Sequence, residues 1–243
     1  MTPPLFLVPD LGSGDVIVLT GAEAHHAGTV KRLAVGEAAL LADGRGGLAE
    51  VVVLEVGRDR VSFTVQARRQ LPEPSPRLVV VQALPKGERA DLAVEALTEL
   101  GADEIVPWSA SRSVAVWRGD KAARGLAKWQ RTALEAAKQS RRARVPVVAS
   151  LADTDAVAER VASAEAAYVL DSDAELAFAT IQPPVVGAVL LVVGPEGGVT
   201  PDELALFEQH GAVPVRLGPE VLRTSTAGAA ALAVLSVAAG RWH

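Results

Sequence analysis

The chain has 243 residues, 49% of them apolar, with no cysteine and with Gly and Pro at only 36 positions together. That is enough apolar material for a sizeable core in one large domain or two smaller ones; it excludes wholesale disorder and collagen-like repeats, and the absence of cysteine excludes disulfides, thiolate metal sites and a cysteine nucleophile. The net charge of −5 argues against a polyanionic partner until its distribution is followed along the chain.

The first seventy residues read as β-rich. Val16–Leu19, Ala38–Leu41, Leu48–Val56 and Val61–Ala67 are short Val/Leu-rich segments separated by glycine clusters such as Asp43-Gly44-Arg45-Gly46-Gly47. A single helical stretch, Glu23–Leu33, sits among them, and this pattern predicts a small barrel. Leu71-Pro-Glu-Pro-Ser-Pro76 is a stiff linker and divides the chain into residues 1–71 and 77–243.

Beyond the linker, apolar strands alternate with helices. Strands are predicted at Arg77–Leu84, Glu104–Pro107, Ala166–Leu170, Ala188–Val193 and Val213–Leu217. Helices are predicted at Arg89–Leu100 (with Leu92, Ala96 and Glu99-Leu100 in one period), Lys121–Ser140, Pro201–His210 and Ser225–Ala239. The fold class is therefore α/β with a mostly parallel sheet covered on both faces.

Charge is segregated. Between Arg112 and Arg144 ten basic residues face only Asp120 and Glu135, whereas between Ser150 and His210 eleven acidic residues face only Arg160. A basic stripe on an acidic body binds polyanions locally, although a solvated helix face explains such a run as well. Met1–Asp10 lacks the basic start and apolar run of a signal peptide. Leu176–Pro195 is broken by Gln182, Pro183, Pro184 and Gly187, and Ala-rich Thr224–Gly240 reads as a close-packed helix. A soluble, cytoplasmic protein is expected, with no membrane partner.

Phosphate-loop, GxGxxG, GxSxG and HExxH signatures are absent, and the four histidines are too scattered to suggest a metal. Adjacent His25 and His26 point different ways, so one exposed and one packed histidine is the expectation. The informative segment runs from Val189 to Glu203. Its apolar strand ends in Gly194-Pro195-Glu196-Gly197-Gly198, and Thr200, Pro201 and Glu203 open a helix with a capping box. Ligands of open α/β sheets bind beyond the carboxyl ends of strands, and glycines there let a ligand approach the backbone. A second strand, Val213–Leu217, leads into Gly218-Pro-Glu-Val-Leu-Arg223-Thr-Ser-Thr-Ala227 and another helix. Arg223 is the one charge between Glu220 and Arg241; chemistry alone leaves it either a clamp on backbone carbonyls or a cation facing a ligand.

Together, GPEGG and the later LGPEVLRTSTA resemble the ribosomal RNA small subunit methyltransferase E family, of the SPOUT superfamily of trefoil-knot methyltransferases. Ala83-Leu-Pro-Lys-Gly87, Thr98-Glu-Leu-Gly101, Glu104-Ile-Val-Pro107, Ser111-Arg-Ser113, Glu135-Ala-Ala-Lys-Gln139-Ser and Arg144-Val-Pro146 match its pattern, as do His26, Arg32 and Asp43-Gly44-Arg45-Gly46. The chain departs from it at Ser225, commonly Glu, and at Glu220, often basic.

The resemblance implies a PUA-like RNA-binding barrel followed by a knotted methyltransferase domain, acting as a homodimer without metal. It implies methyl transfer from S-adenosylmethionine to N3 of uridine 1498 of 16S rRNA in the small ribosomal subunit. The matched positions imply donor binding by Leu170, Val193, Gly194, Pro195, Glu196, Gly197, Gly198, Leu217, Gly218, Leu222, Thr224, Thr226 and Ala227, and catalysis by Arg223. RNA binding is expected of His26, Arg32, Arg112, Arg141, Arg142 and Arg144. A catalytically silent RNA-binding relative and a nucleotide-using small-molecule enzyme are the alternatives; the missing GxGxxG and the basic stripe weigh against the latter.

Overall fold

Two sheets, each with its own apolar core, organise the chain in the computed structural model, which describes residues 3–87 and 89–242. One unit comprises the residues up to Glu73 together with Ala137–Val145; the other comprises Pro74–Ala136 and the residues from Pro146 onward.

The first unit holds β1 (Leu5–Leu7), β2 (Val16–Thr20), β3 (Ala38–Ala42), β4 (Gly47–Val56) and β5 (Arg60–Gln70), in the spatial order β1-β3-β4-β5-β2. In β2, Ile17 and Leu19 point inward while Val16 and Val18 are exposed, the alternation of a half-buried strand. Phe6 of β1 and Ile17 and Leu19 of β2 come from opposite edges of the sheet, yet they share one core with Leu41, Val53 and Phe63. The sheet is therefore curled, and two register shifts between β4 and β5 supply local bends. The predicted helix divides into α1 (Gly21–His25) and a π-helical turn, His26–Val30. Gly28, Thr29 and Val30 are weak helix formers, and Arg32 leaves the helical region at φ 53°. Strand β1 is too short to show a period.

The segment Ala137–Val145 pairs with the loop that precedes β4. Gly46 N donates to Ala143 O at 3.0 Å, and Val145 N donates to Gly44 O at 2.9 Å.

The second unit contains β6 (Arg77–Ala83), α2 (Arg89–Glu99), β7 (Glu104–Trp108), α3 (Asp120–Gln139, whose last residues belong to the first unit), β8 (Val147–Val148), α4 (Thr154–Ser163), β9 (Ala166–Leu170), β10 (Ala188–Val193), α5 (Pro201–Gln209), β11 (Ala212–Val215) and α6 (Thr224–Ala238). The sheet order is β11-β9-β10-β6-β7-β8, with every pair parallel. Successive residues of β6 serve opposite faces. Leu78 and Val80 pack with Val94, Leu97, Trp129 and Leu232, while Val79 and Val81 pack with Val157, Val161 and Phe207. Burial on both faces is why these strands are continuous apolar runs.

The short edge strand β8 was not expected, and three further features depart from the expected pattern. The buried face of α2 is Ala93, Val94, Leu97 and Thr98, whereas Leu92 is exposed; the core-facing period is shifted by one residue. Helix α4 was not expected, although Asp153 caps it by accepting from Ala156 N at 2.9 Å, and Val157, Ala158 and Val161 form its buried stripe. Strand β11 ends at Val215, two residues early, so Arg216 and Leu217 lie in the loop beyond it.

Candidate active site

Because the strands run parallel, β9, β10 and β11 deliver their carboxyl ends to one edge of the sheet, and the loops that follow enclose a cavity of about 570 Å³. From β9 come Leu170 to Asp173, from β10 Val193 to Val199, from β11 Arg216 to Gly218, and from the next loop and α6 Glu220 to Thr224 and Ala227. Arg112 completes the lining from the segment after β7.

Every residue expected to hold the methyl donor lines this cavity except Thr226. Thr226 lies in the first turn of α6, where its hydroxyl donates to Arg223 O at 3.1 Å. Asp171, Ser172, Asp173, Val199, Arg216, Glu220 and Val221 line the cavity without having been expected to hold the donor. Their signal was available for Asp171–Asp173, which directly follow an apolar strand.

The glycine loop is shaped by close contacts. A Cβ on Gly194 would stand 2.9 Å from Val199 Cγ2, and one on Gly197 would stand 3.0 Å from Arg112 Cβ. Gly198 adopts φ +74°, and its N donates to Pro195 O at 2.9 Å, closing the turn. The capping box follows: Thr200 Oγ1 accepts from Glu203 N, and Glu203 Oε2 accepts from Thr200 N, with Pro201 in the first turn.

Glu203 does more than cap. Its Oε1 accepts from Ser111 N at 2.8 Å and from Thr154 Oγ1 at 3.2 Å. Burial by itself raises its pKa, but the hydrogen bonds from Ser111 and Thr200 outweigh burial and hold the carboxyl below the usual range. One residue beyond Ser111, Arg112 Nη1 donates to Gly197 O at 2.9 Å.

Arg112, Arg216 and Arg223 share the lining with Asp171, Asp173, Glu196 and Glu220. Arg223 is exposed and is the N-cap residue of α6; its backbone oxygen accepts from Thr226 N and Ala227 N, both at 2.8 Å. Its guanidinium makes no hydrogen bond or ion pair among the described residues. Of the two positions that depart from the family pattern, Glu220 is on the lining and Ser225 is buried within α6.

The residues expected to bind RNA fall in two places. Arg112 is at the cavity. His26, Arg32, Arg141, Arg142 and Arg144 belong to the first unit. His25 is exposed, whereas His26 packs edge-on against Phe6, with ring centroids 5.9 Å apart. Arg32 and Arg141 are exposed, and both hold positive φ after a helical segment. Arg144 is committed to its own unit: Nη2 donates to Leu71 O at 2.7 Å, and its guanidinium fills the space beside Gly46. Among the described residues, no group of three or more His, Cys, Asp or Glu side chains could hold a metal ion, and no helix is long and apolar enough to cross a membrane.

Residues 72–236 match the model of an RNA methyltransferase domain, and residues 19–66 match that of an RNA methyltransferase PUA domain. The ribosomal RNA small subunit methyltransferase E of Mycobacterium bovis is 46% identical over all of this chain and 94% of its own length. The chain belongs to the ribosomal RNA small subunit methyltransferase E family. The Bacillus subtilis enzyme of that name is 31% identical over 90% of this chain and 88% of its own length. The crystal structure of the Neisseria gonorrhoeae methyltransferase E bound to S-adenosylmethionine superposes with a TM-score of 0.84 at 26% identity, covering 97% of this chain and 98% of the other. The curled N-terminal sheet and the six-stranded parallel sheet of this methyltransferase E relative are thus the PUA and SPOUT folds that its motifs led one to expect.

Proposed function

We propose that this chain transfers the methyl group of S-adenosylmethionine to N3 of uridine 1498 in 16S rRNA, working in the cytoplasm as a homodimer. Residues 1–71, joined by Ala137–Val145, serve as the RNA-binding domain, and the rest of residues 77–243 as the methyltransferase domain. The observation that carries the reading is the cavity at the carboxyl ends of β9, β10 and β11, whose lining includes both the glycine loop and Arg223, a guanidinium with no bonded partner among the described residues.

The residues present fit the donor. At Gly194 and Gly197 a side chain would collide with Val199 or Arg112, so only glycine lets the loop pack this tightly, and the loop Gly194–Gly198 lines the cavity. Gly194–Gly198, Leu170, Leu217, Gly218, Leu222 and Ala227 would hold the donor, which when bound supplies an electrophilic methyl group on a positively charged sulfur.

The chain's own residues supply orientation and electrostatics. The N3 proton of uracil must leave before or as the methyl group attaches, and the uracil anion so formed carries its negative charge on N3 and the flanking carbonyl oxygens until the new N–C bond consumes it. Arg223 has all its N–H donors free among the described residues to bind those oxygens as the charge grows. The backbone of Arg223 is fixed as the N-cap of α6, which roots its side chain at the cavity lining.

Dimerisation fits the apolar surface of the C-terminal region. Val221, Leu222, Val237 and Trp242 are all exposed, and a second copy of the chain would cover them.

The deciding experiment is methylation of small ribosomal subunits from a strain lacking the gene, with the modified base mapped. Calorimetry with S-adenosylmethionine accompanies it. Methylation at another base would overturn the site assignment, and donor binding without methylation would support the catalytically silent relative.

A further inference from the structure

Four hydrogen bonds from three stretches of chain converge on the buried carboxylate of Glu203. Oε1 accepts from Ser111 N at 2.8 Å and Thr154 Oγ1 at 3.2 Å; Oε2 accepts from Thr200 N at 2.9 Å and Thr200 Oγ1 at 3.0 Å. A capping box needs only the oxygen that returns to Thr200. The other oxygen points away from α5 to Ser111, 92 residues earlier in the chain. Burying a carboxylate is costly unless its lone pairs are satisfied, and here both oxygens are bonded.

The segment fixed by Oε1 leads directly into Arg112. One N–H of Arg112 is bound to Gly197 O, and Arg112 lines the cavity; its guanidinium makes no ion pair among the described residues. A guanidinium carries five N–H donors, so most of them remain for a ligand.

We infer that Glu203 is a positioning residue of the donor cavity: it anchors Ser111 so that Arg112 presents its unused donors to an oxyanion of the ligand. That oxyanion is either the carboxylate of the methyl donor or a phosphate of the RNA. The inference rests on the methyltransferase reading above. Planar, bidentate recognition of such groups is what arginine does better than lysine. A displacement of about 1 Å in a positioned group can cost on the order of a hundredfold in rate. An exposed arginine therefore gains from a buried anchor one residue away.

The test uses the full chain and four variants: Arg112→Ala, Glu203→Gln, the double variant, and Thr200→Ala. Donor affinity is measured by calorimetry with S-adenosylmethionine and no RNA. KM and kcat for small subunits are measured at saturating donor, and Tm is recorded for each protein. Arg112→Ala is expected to weaken donor affinity or raise the KM for RNA by about tenfold or more, the effect of losing a charged hydrogen bond. Glu203→Gln should move the same parameter, and should add little in the Arg112→Ala background, because the two act through one contact. Thr200→Ala removes the cap hydroxyl but leaves Ser111 anchored, so it should lower Tm and spare that parameter.

A change in donor affinity assigns the carboxylate, and a change in KM for RNA with donor affinity intact assigns the phosphate. Arg112→Ala with both parameters at wild-type values overturns the inference, whether or not Glu203→Gln folds. So do additive effects of the two substitutions. A wild-type protein that neither binds the donor nor methylates subunits would sink the methyltransferase reading itself, a separately visible failure.

Discussion

Gly228 of α6 faces Gln82 of β6 so closely that a Cβ on the glycine would stand 3.1 Å from Gln82 Oε1, 3.2 Å from Val193 Cγ2 and 3.4 Å from Leu97 Cδ2. The start of α6, which carries Arg223 and Thr224 at the cavity, is thereby seated against the two central strands. Gly228→Val should destabilise the protein by about 1–3 kcal/mol through overpacking. Equilibrium urea unfolding measures the loss, and unchanged stability would mean that α6 shifts freely on the sheet.

At the opposite end of the sheet, Arg241 closes the C-terminal region onto the starts of β6 and β7. Its Nη1 meets Asp103 Oδ2 at 2.5 Å and also donates to Pro76 O at 3.1 Å, while Nη2 donates to Gly101 O at 3.3 Å. Both side chains are largely buried. Arg241→Met removes the guanidinium but leaves Asp103 the hydrogen bond from Leu78 N, and should cost about 1–3 kcal/mol, the usual cost of removing one partner of a buried polar group. Donor affinity of the folded variant should be unchanged, since the cavity is at the other edge of the strands. Urea unfolding and calorimetry on one preparation separate the two effects.

Much of the C-terminal sheet was legible because burial on both faces turns its strands into uninterrupted apolar runs, and the glycine loop announces itself as three glycines around Pro195 and Glu196. The capping box at Thr200 and Glu203 was readable because its partners are three residues apart. What escaped has no local signature. Glu203 Oε1 bonds to a residue 92 positions away, and Ala137–Val145 joins the first unit through contacts with Gly44 and Gly46. Arg216 reached the cavity because β11 stops two residues short of the apolar run. Helix α4 is different: Asp153, Val157, Ala158 and Val161 carried a cap and a stripe that could have been read.

Glu203 makes stability depend on pH in a defined direction. Its folded pKa is depressed, so the unfolded chain binds the proton more readily. The stabilisation is fully present above the ordinary value of 4.5 and is lost as pH falls through the lower folded value. Glu203→Gln should therefore be less stable than wild type near neutrality, with the gap narrowing in acid. Urea midpoints at pH 7 and at successively lower pH check this, and a gap that widens on acidification would contradict it.

Arg141 and Arg144 should behave differently although both belong to the basic stripe. Arg141 is exposed at φ 58°, whereas Arg144 is tied to Leu71 O. Arg141→Glu should weaken rRNA binding and flatten the log–log salt dependence by about one unit for each lost phosphate contact. Arg144→Glu should lower the melting temperature first, because it removes a donor that its own unit uses. Filter binding across a salt series, paired with thermal melts, distinguishes a ligand contact from a structural one.

Arg223 offers the sharpest test. A carbonyl clamp would show a guanidinium bound to backbone oxygens, yet this one makes no bond among the described residues, and only its backbone oxygen is used, by Thr226 and Ala227. Arg223→Ala should therefore leave the fold and donor affinity near normal. Losing one preorganised donor to a developing oxyanion typically costs roughly a hundredfold to a thousandfold in rate. Arg223→Lys keeps the charge but loses the planar fork that spans two oxygens, so it should remain severely impaired. Melting temperature, donor calorimetry and single-turnover methylation on both variants decide between the roles. A collapsed rate with an intact fold and donor site assigns catalysis; joint loss of stability and donor binding assigns the clamp. Survival of the rate in both variants would remove Arg223 from the chemistry altogether, and the charge on the uracil oxygens would then have to be met by Arg112 or Arg216, the other two arginines of the cavity lining.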